Sequence, residues 1–172
     1  LEQGKMSKRY FNTIDPEKIC DEFGADTLRC YEMFLGPIEE HKPWNINGIS
    51  GVAAFLRKTW KLMTSFSETK PNEKELKILH KTIKKVCQDI EGFSFNTSIS
   101  SFMIAVNELT NLNCTSRSVL EPLLVLLSPY APHICEELWH MLGNKESISI
   151  TKFPVYDPKH LIEISKTYPI SF

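Results

Sequence analysis

The chain has 172 residues, enough for one domain with a proper hydrophobic core, or for one domain with a small appendage. Apolar residues make up 42% and charged residues 24%, as in ordinary globular proteins, and the net charge of −1 argues against a generally basic nucleic-acid-binding protein. The apolar stretch at residues 120–127 is interrupted by Pro122, and residues 5–9 are not followed by the apolar region of a secretory signal. We therefore expect a cytoplasmic protein that contacts neither membranes nor DNA.

The chain opens with a short basic segment, Gly-Lys-Met-Ser-Lys-Arg, at residues 4–9. It places Lys5 and Lys8 close together in what we expect to be a mobile loop. Two ammonium groups in such a loop can close over a polyphosphate and neutralise negative charge as it develops in a transition state. Taken alone, however, the segment is more typical of a solvated basic turn.

Two short helices and a linker are predicted next. An Asp-Pro pair at residues 15–16 is a strong helix start, and Gly24 is suited to end that helix in a left-handed conformation. A second helix is expected at residues 26–35, where a Gly-Pro pair stops it. Residues 38–47 have no apolar period, so we predict a crossing linker that Trp44 attaches to the core.

Five amphipathic helices are predicted after the linker. The first begins at Gly48, the second is capped by Asn72, and the third begins near Asn96. The fourth, at residues 119–127, is apolar on nearly all sides, which marks the centre of a bundle, and the fifth covers residues 134–142. In the second helix the apolar residues follow a 3-4-3-4 spacing that is typical of nearly antiparallel packing: Leu76, Leu79, Ile83, Val86 and Ile90. The fold class predicted is therefore mainly α, an antiparallel α-helical bundle.

The end of the chain gives weaker signals. Residues 147–151 alternate as Ser-Ile-Ser-Ile-Thr, which predicts a short strand with few candidate partners. Residues 154–172 are interpreted as a tether towards another part of a larger protein.

Cysteine and histidine patterns indicate no metal site. The five cysteines, at positions 20, 30, 87, 114 and 135, are odd in number and scattered, so we expect reduced, mostly buried thiols. His133 is followed by two glutamates and by His140, but no third ligand of suitable spacing follows. We therefore predict no bound metal, and a capping or packing role for His133.

Two groups of basic residues are candidates for binding an RNA backbone. One is a stripe on the second bundle helix, which is the fourth predicted helix (α4) in chain order, and we call it the α4 stripe: Lys74, Lys77, Lys81, Lys84 and Lys85. The other is the pair Arg57 and Lys61 on the first bundle helix, the third (α3) in chain order, and we call it the α3 pair. The alternative for both is an ordinary solvated helix face, and for the stripe the two interpretations are evenly matched.

Several short motifs occur together in this chain. They are Lys-Met-Ser-Lys-Arg at 5–9, Gly-Ala-Asp-Thr-Leu-Arg at 24–29, Tyr-Glu-Met-Phe-Leu-Gly-Pro at 31–37, Lys-Pro-Trp-Asn at 42–45 and Pro-Tyr-Ala-Pro-His at 129–133. Together they resemble class I aminoacyl-tRNA synthetases, and among these the leucyl-tRNA synthetases. The motifs at 24–29 and 129–133 are similar to elements shared with the valine and isoleucine enzymes, whereas those at 31–37 and 42–45 are similar to the leucine type. Arg9 stands where the family usually has serine, which increases the charge but removes a hydroxyl.

The resemblance implies roles for the basic segment and the helices. In this family the loop binds the ATP phosphates during adenylate formation, so Lys5 and Lys8 would be catalytic by stabilising the leaving pyrophosphate. The ATP-binding residues would be Lys5, Met6, Ser7, Lys8 and Arg9. The bundle would dock on tRNA through phosphate contacts, and the tRNA-binding candidates are Arg57, Lys61, Lys77, Lys81, Lys84 and Lys85.

The resemblance also implies a division of the chain and a function. Residues 1–46 would form the loop and connecting helices, 47–145 an anticodon-binding-type helical bundle, and 146–172 the short strand and tether. The complete enzyme would use ATP, with Mg²⁺, to attach leucine to tRNA(Leu). This chain alone would bind no cofactor and would be inactive, because it contains no His-Ile-Gly-His-like signature and no nucleotide-binding sheet.

Three alternatives remain open. The first is the same region of an isoleucyl-, valyl- or methionyl-tRNA synthetase. The second is a free-standing tRNA-binding helical module that has lost catalysis. The third is a helical protein-interaction domain.

Overall fold

The structure is a computed structural model in which residues 6–162 are described. Within that range the chain forms seven α-helices and no β-strand, which confirms the predicted mainly α fold. The helices are α1 (Pro16–Phe23), α2 (Ala25–Phe34), α3 (Ile46–Met63), α4 (Glu73–Glu91), α5 (Phe95–Asn111), α6 (Arg117–Leu127) and α7 (Pro132–Met141). None of these helices combines the length and the apolarity needed to cross a membrane.

Short polar residues fix where the helices begin. The Asp15 carboxylate accepts a hydrogen bond from the Glu17 N–H at 3.1 Å, and it caps α1 as expected. At the start of α4, Asn72 and Glu75 form a reciprocal capping box, which satisfies two backbone N–H groups at once. Gly24 joins α1 to α2 with a φ of +88°, a conformation that residues with a side chain rarely adopt.

The bundle is built around α6, as its apolar sequence predicts. Leucines on several sides of this helix are at most 1% exposed: Leu120, Leu123, Leu124, Leu126 and Leu127. The helix continues through Pro122, although proline removes one backbone donor from a helix interior. Burial of the flanking leucines stabilises α6 enough to tolerate that loss. Helices α4 and α5 are connected only by residues 92–94 and therefore form an antiparallel pair.

The predicted strand at residues 147–151 is wrong. Ile148–Ile150 form a single 3₁₀ turn in which Ile148 is buried and Ile150 is 69% exposed. A strand needs a neighbouring strand to pair its backbone, and residues 6–162 contain none. Instead the Ser147 hydroxyl and the Ile148 N–H both donate to the Glu136 carboxylate, at 3.0 and 3.2 Å, which fixes the turn against α7.

The five thiols are free, and three of them, Cys30, Cys114 and Cys135, are buried. Burial raises the pKa of Cys30 to about 12, with a further contribution from the nearby Asp26 carboxylate. Burial likewise raises the pKa of Cys114 to about 11. These thiols stay protonated at neutral pH and pack as small apolar side chains, as the sequence predicts.

Candidate functional site

The described part of the basic segment, which starts at Met6, forms a turn. Lys8–Tyr10 form a 3₁₀ turn, and the Ser7 hydroxyl accepts a hydrogen bond from the Arg9 N–H at 3.2 Å. The Ser7 N–H donates to the Asn12 side-chain oxygen at 2.8 Å, which closes the segment on itself. Lys5 lies outside the described residues. The turn leaves the side chains of Lys8 and Arg9 exposed, so both cations are accessible to a ligand.

Apolar side chains beside this turn are also exposed. Met6 is 45% exposed, Tyr10 70% and Phe11 94%, so none of them belongs to the core of the bundle. The Ser7 hydroxyl is bonded within the turn itself.

Two of the motifs found in the sequence contact each other across α2 and α7. The Asp26 carboxylate accepts hydrogen bonds from the backbone N–H groups of His133 at 3.3 Å and Ile134 at 2.7 Å. The His133 ring nitrogen Nδ1 lies 2.8 Å from the same carboxylate. Asp26 is 8% exposed. Through these hydrogen bonds it caps the start of α7, whose own N-cap residue provides no side-chain cap. Sequence reasoning missed this role, because a residue that caps a distant helix has no local signal.

Further bonds reinforce this junction. The Arg29 guanidinium donates to the Pro129 carbonyl at 2.9 Å, and the Cys30 thiol donates to the Tyr130 carbonyl at 3.6 Å. The motif at residues 24–29 therefore fixes the turn between α6 and α7 to α2.

The motifs at residues 31–37 and 42–45 also contact each other. The Tyr31 and Trp44 rings pack edge to face with centroids 5.2 Å apart, and the Tyr31 hydroxyl donates to the Asn45 carbonyl. The Lys42 ammonium donates to the Gly36 carbonyl at 2.6 Å. Trp44 packs against the core, so its predicted role in attaching the linker is confirmed.

The α3 pair is exposed, and no hydrogen bond or ion pair involves the side chains of Arg57 and Lys61 among residues 6–162. In contrast, the neighbouring Lys58 ammonium donates to the Asn107 side-chain oxygen at 2.6 Å. Beside the pair, Trp60 is 37% exposed. Its ring and Arg57 line a groove of about 430 Å³ between α2, α3 and the start of α7.

The α4 stripe is exposed along its whole length, but several of its cations are engaged. Lys85 forms an ion pair with the largely buried Asp89. The Lys84 ammonium lies 5.8 Å from the centre of the Tyr156 ring, within the range of a cation–π contact. Two lysines of the stripe, Lys84 and Lys85, therefore already contact other side chains of the chain.

The described part of the predicted tether packs along α4 through residues 153–161, which we call the C-terminal segment, and residues 163–172 lie outside the described residues. The His80 and His160 rings stack with centroids 4.6 Å apart, and the Asp157 N–H donates to the His80 ring nitrogen Nδ1 at 3.1 Å. Burial lowers the pKa of His80 below its usual value of 6.5, and the neighbouring His160 lowers it further, while Asp157 opposes them.

Acid is expected to loosen this segment. The Asp157 N–H can donate to Nδ1 of His80 only while that nitrogen carries no proton, and burial holds the pKa of His80 below 6.5, so docking is most stable above pH 6.5 and weakens as the pH falls through the lowered pKa. A proton on Nδ1 would also remove the acceptor for the Asp157 N–H. Hydrogen exchange of that amide, corrected for its intrinsic pH dependence, should therefore accelerate between pH 7.5 and pH 5. His80→Gln offers an acceptor that does not titrate and should abolish this dependence, whereas constant protection in the unaltered chain would contradict the prediction.

Metal-ligating side chains do not gather in the described part of the chain, where no three His, Cys, Asp or Glu residues come together. His133 contacts Asp26, and His140 lies 3.2 Å from Glu136.

The sequence and the fold are similar to those of known proteins. A leucine–tRNA ligase of Flavobacterium johnsoniae is 61% identical over 98% of the chain, and one of Cytophaga hutchinsonii is 54% identical over 97%. The chain spans 18% and 19% of these relatives, about a fifth of their length. The solved LeuRS of Agrobacterium radiobacter, in a ternary complex with tRNA and LeuAMS, matches 92% of the chain and 23% of that protein, with a TM-score of 0.78 and 30% identity.

These relatives confirm the resemblance to leucyl-tRNA synthetases that the motifs predict. The family model for the anticodon-binding domain of tRNA ligase matches residues 73–170, which is more than half of the chain. The chain therefore belongs to the family of anticodon-binding domains of tRNA ligases.

Proposed function

We propose that the chain is part of a cytoplasmic leucine–tRNA ligase, in which it docks on tRNA(Leu) and contacts the phosphates of ATP. The observation that carries this proposal is the 61% identity, over nearly the whole chain, to a leucine–tRNA ligase. It favours leucine over isoleucine, valine or methionine as the amino acid. The test is pyrophosphate exchange by the intact ligase with each of the four amino acids, and activity with another of them in place of leucine would refute the proposal.

The basic turn would act through electrostatics alone. Lys8 and Arg9 are exposed on a turn that Ser7 holds in place, so their charges are available without a large conformational cost. Lys5 and Met6 would complete the loop around the ATP phosphates. Cations that are already positioned stabilise negative charge as it develops on the leaving pyrophosphate, and no proton transfer is needed.

The tRNA would be docked mainly through its phosphates. The α3 pair and the α4 stripe are the candidates, and the relative from Agrobacterium radiobacter was solved together with tRNA. The α3 pair is the better placed of the two, because its side chains have no bonding partner among the described residues. In the α4 stripe, Lys84 lies over Tyr156 and Lys85 is paired with Asp89.

The salt dependence of tRNA binding is expected to identify the docking residues. Each phosphate contact releases counterions, so removing one makes the slope of log K against log[salt] shallower by roughly 0.7 to 0.9. Replacing both Arg57 and Lys61 with glutamine should therefore reduce the slope by about 1.4 to 1.8. The measurement is a salt titration of tRNA(Leu) binding by the intact ligase.

The matched variant replaces Lys77, Lys81 and Lys84 with glutamine. We expect a smaller change in slope than for the α3 pair, since the C-terminal segment lies along this helix. Discrimination between tRNAs should barely change in either variant, because phosphate contacts carry little sequence information. Unchanged slopes in both variants, with normal melting curves, would show that both groups are ordinary solvated faces.

A further inference from the structure

The groove beside the α3 pair has the size and the lining of a ligand site. Its volume of about 430 Å³ lies within the usual range for small-molecule pockets, which are about 300 to 1,000 Å³. Its walls come from three elements that are far apart in sequence: the α1–α2 junction, α3 and the start of α7. On α3 the lining residues follow the i, i+3, i+4, i+7 spacing of a single helix face: Ala53, Leu56, Arg57 and Trp60.

Trp60 is the exposed tryptophan of the chain. Trp44 is half-buried and Trp139 is only 9% exposed. Trp60, in contrast, is 37% exposed and lines the groove. Aromatic side chains in a groove can stack on bases, and every base offers a flat face for this contact. Binding to RNA would explain why the large Trp60 ring is exposed beside the cations Arg57 and Lys61.

The charges around the groove favour an anion. Arg57 lies in its wall, and Lys61 is one helical turn further along the same side of α3. The first turn of α2 also lines the groove, and its N-cap Gly24 supplies no side-chain cap. The one carboxylate in the lining, Asp26, has both oxygens bound by α7.

We propose that this groove binds one unpaired nucleotide of the tRNA, with its base against Trp60 and its phosphate between Arg57 and Lys61. This inference rests on the proposed function. Phosphate contacts can form with paired and unpaired nucleotides alike, whereas a stacking contact on Trp60 requires an unpaired base. The nucleotide must be unpaired, because a base within a duplex has both faces covered by its neighbours. The occupant is RNA rather than an apolar peptide, because Arg57 and Lys61 would be left without an anionic partner beside an apolar segment.

The test compares binding of two probes to the chain: a tRNA(Leu) transcript and a blunt RNA duplex with no unpaired bases. Trp60→Leu retains an apolar side chain but removes the aromatic face, and it should weaken tRNA binding about tenfold while leaving duplex binding unchanged. Trp60→Phe keeps a ring and should restore most of the affinity. The tRNA should also quench the tryptophan fluorescence of the unaltered chain, and this quenching should be absent from both variants.

The exposed Arg57 gives a second readout that does not depend on core packing. Arg57→Gln should weaken tRNA binding more than Lys58→Gln, the matched change at the neighbouring residue that is bonded to Asn107. If Trp60→Leu melts normally and binds tRNA as tightly as the unaltered chain, the inference is overturned while docking through phosphates stands. If the unaltered chain binds neither probe, the inference is overturned, whereas docking by the intact ligase is decided separately by the salt titration.

Discussion

Replacing Lys8 with alanine in the intact ligase should lower kcat for adenylate formation by roughly 10²–10³-fold, as for removal of one preorganised donor from an oxyanion site. Lys8 is exposed on a turn whose geometry is set by Ser7 and Asn12, so its loss should leave the turn intact. Its charge would meet negative charge that exists mainly in the transition state, so the effect should appear in the rate and barely in leucine binding. The measurement is leucine-dependent pyrophosphate exchange, with kcat and KM determined separately.

Lys18→Ala is the matched control, since Lys18 is an exposed lysine on the neighbouring helix α1. It should leave both constants unchanged. An unaltered kcat with a raised KM for leucine in Lys8→Ala would contradict the proposed role. Arg9→Ser, which introduces the residue usual in the family, should keep most of the activity because Lys8 retains its position.

The helices could be predicted from the sequence because their determinants are local. The starts of α1 and α4 follow from Asp15 and Asn72, whose side chains bond backbone groups two or three residues away. The apolar face of α4 and the all-apolar α6 follow in the same way from residue spacing. The predicted bounds of these helices differ from the observed ones by only a few residues.

The contacts that assemble the helices could not be predicted in this way. Alternation at residues 147–151 predicts a strand where the chain forms the 3₁₀ turn Ile148–Ile150, because alternation alone does not reveal whether a pairing partner exists. The packing of residues 153–161 on α4 depends on His80 and His160, which are widely separated in sequence. The groove likewise joins the start of α2, the middle of α3 and the start of α7, so only the fold brings Trp60 and His133 to the same site.

The junction between α2 and α7 depends on one buried carboxylate. Asp26 accepts from the His133 and Ile134 N–H groups, which are the first free donors of α7. Pro132 at the start of that helix has no N–H, and Ala131 has no side-chain acceptor, so no residue of α7 itself provides a substitute.

Replacing Asp26 with alanine should destabilise the chain by about 3 kcal/mol, which combines the loss of a helix cap with the loss of hydrogen bonds to a charged group. For a chain of this size the melting temperature should fall by about 6 to 12 °C. Thermal and denaturant unfolding of the chain measure the effect. Asp26→Asn keeps one acceptor oxygen and should lose less, and His133→Ala should change stability only slightly, because that side chain is 74% exposed. A free energy of unfolding for Asp26→Ala within about 0.5 kcal/mol of that of the unaltered chain would be typical of a surface substitution. That result would show that the carboxylate does not hold the two motifs together.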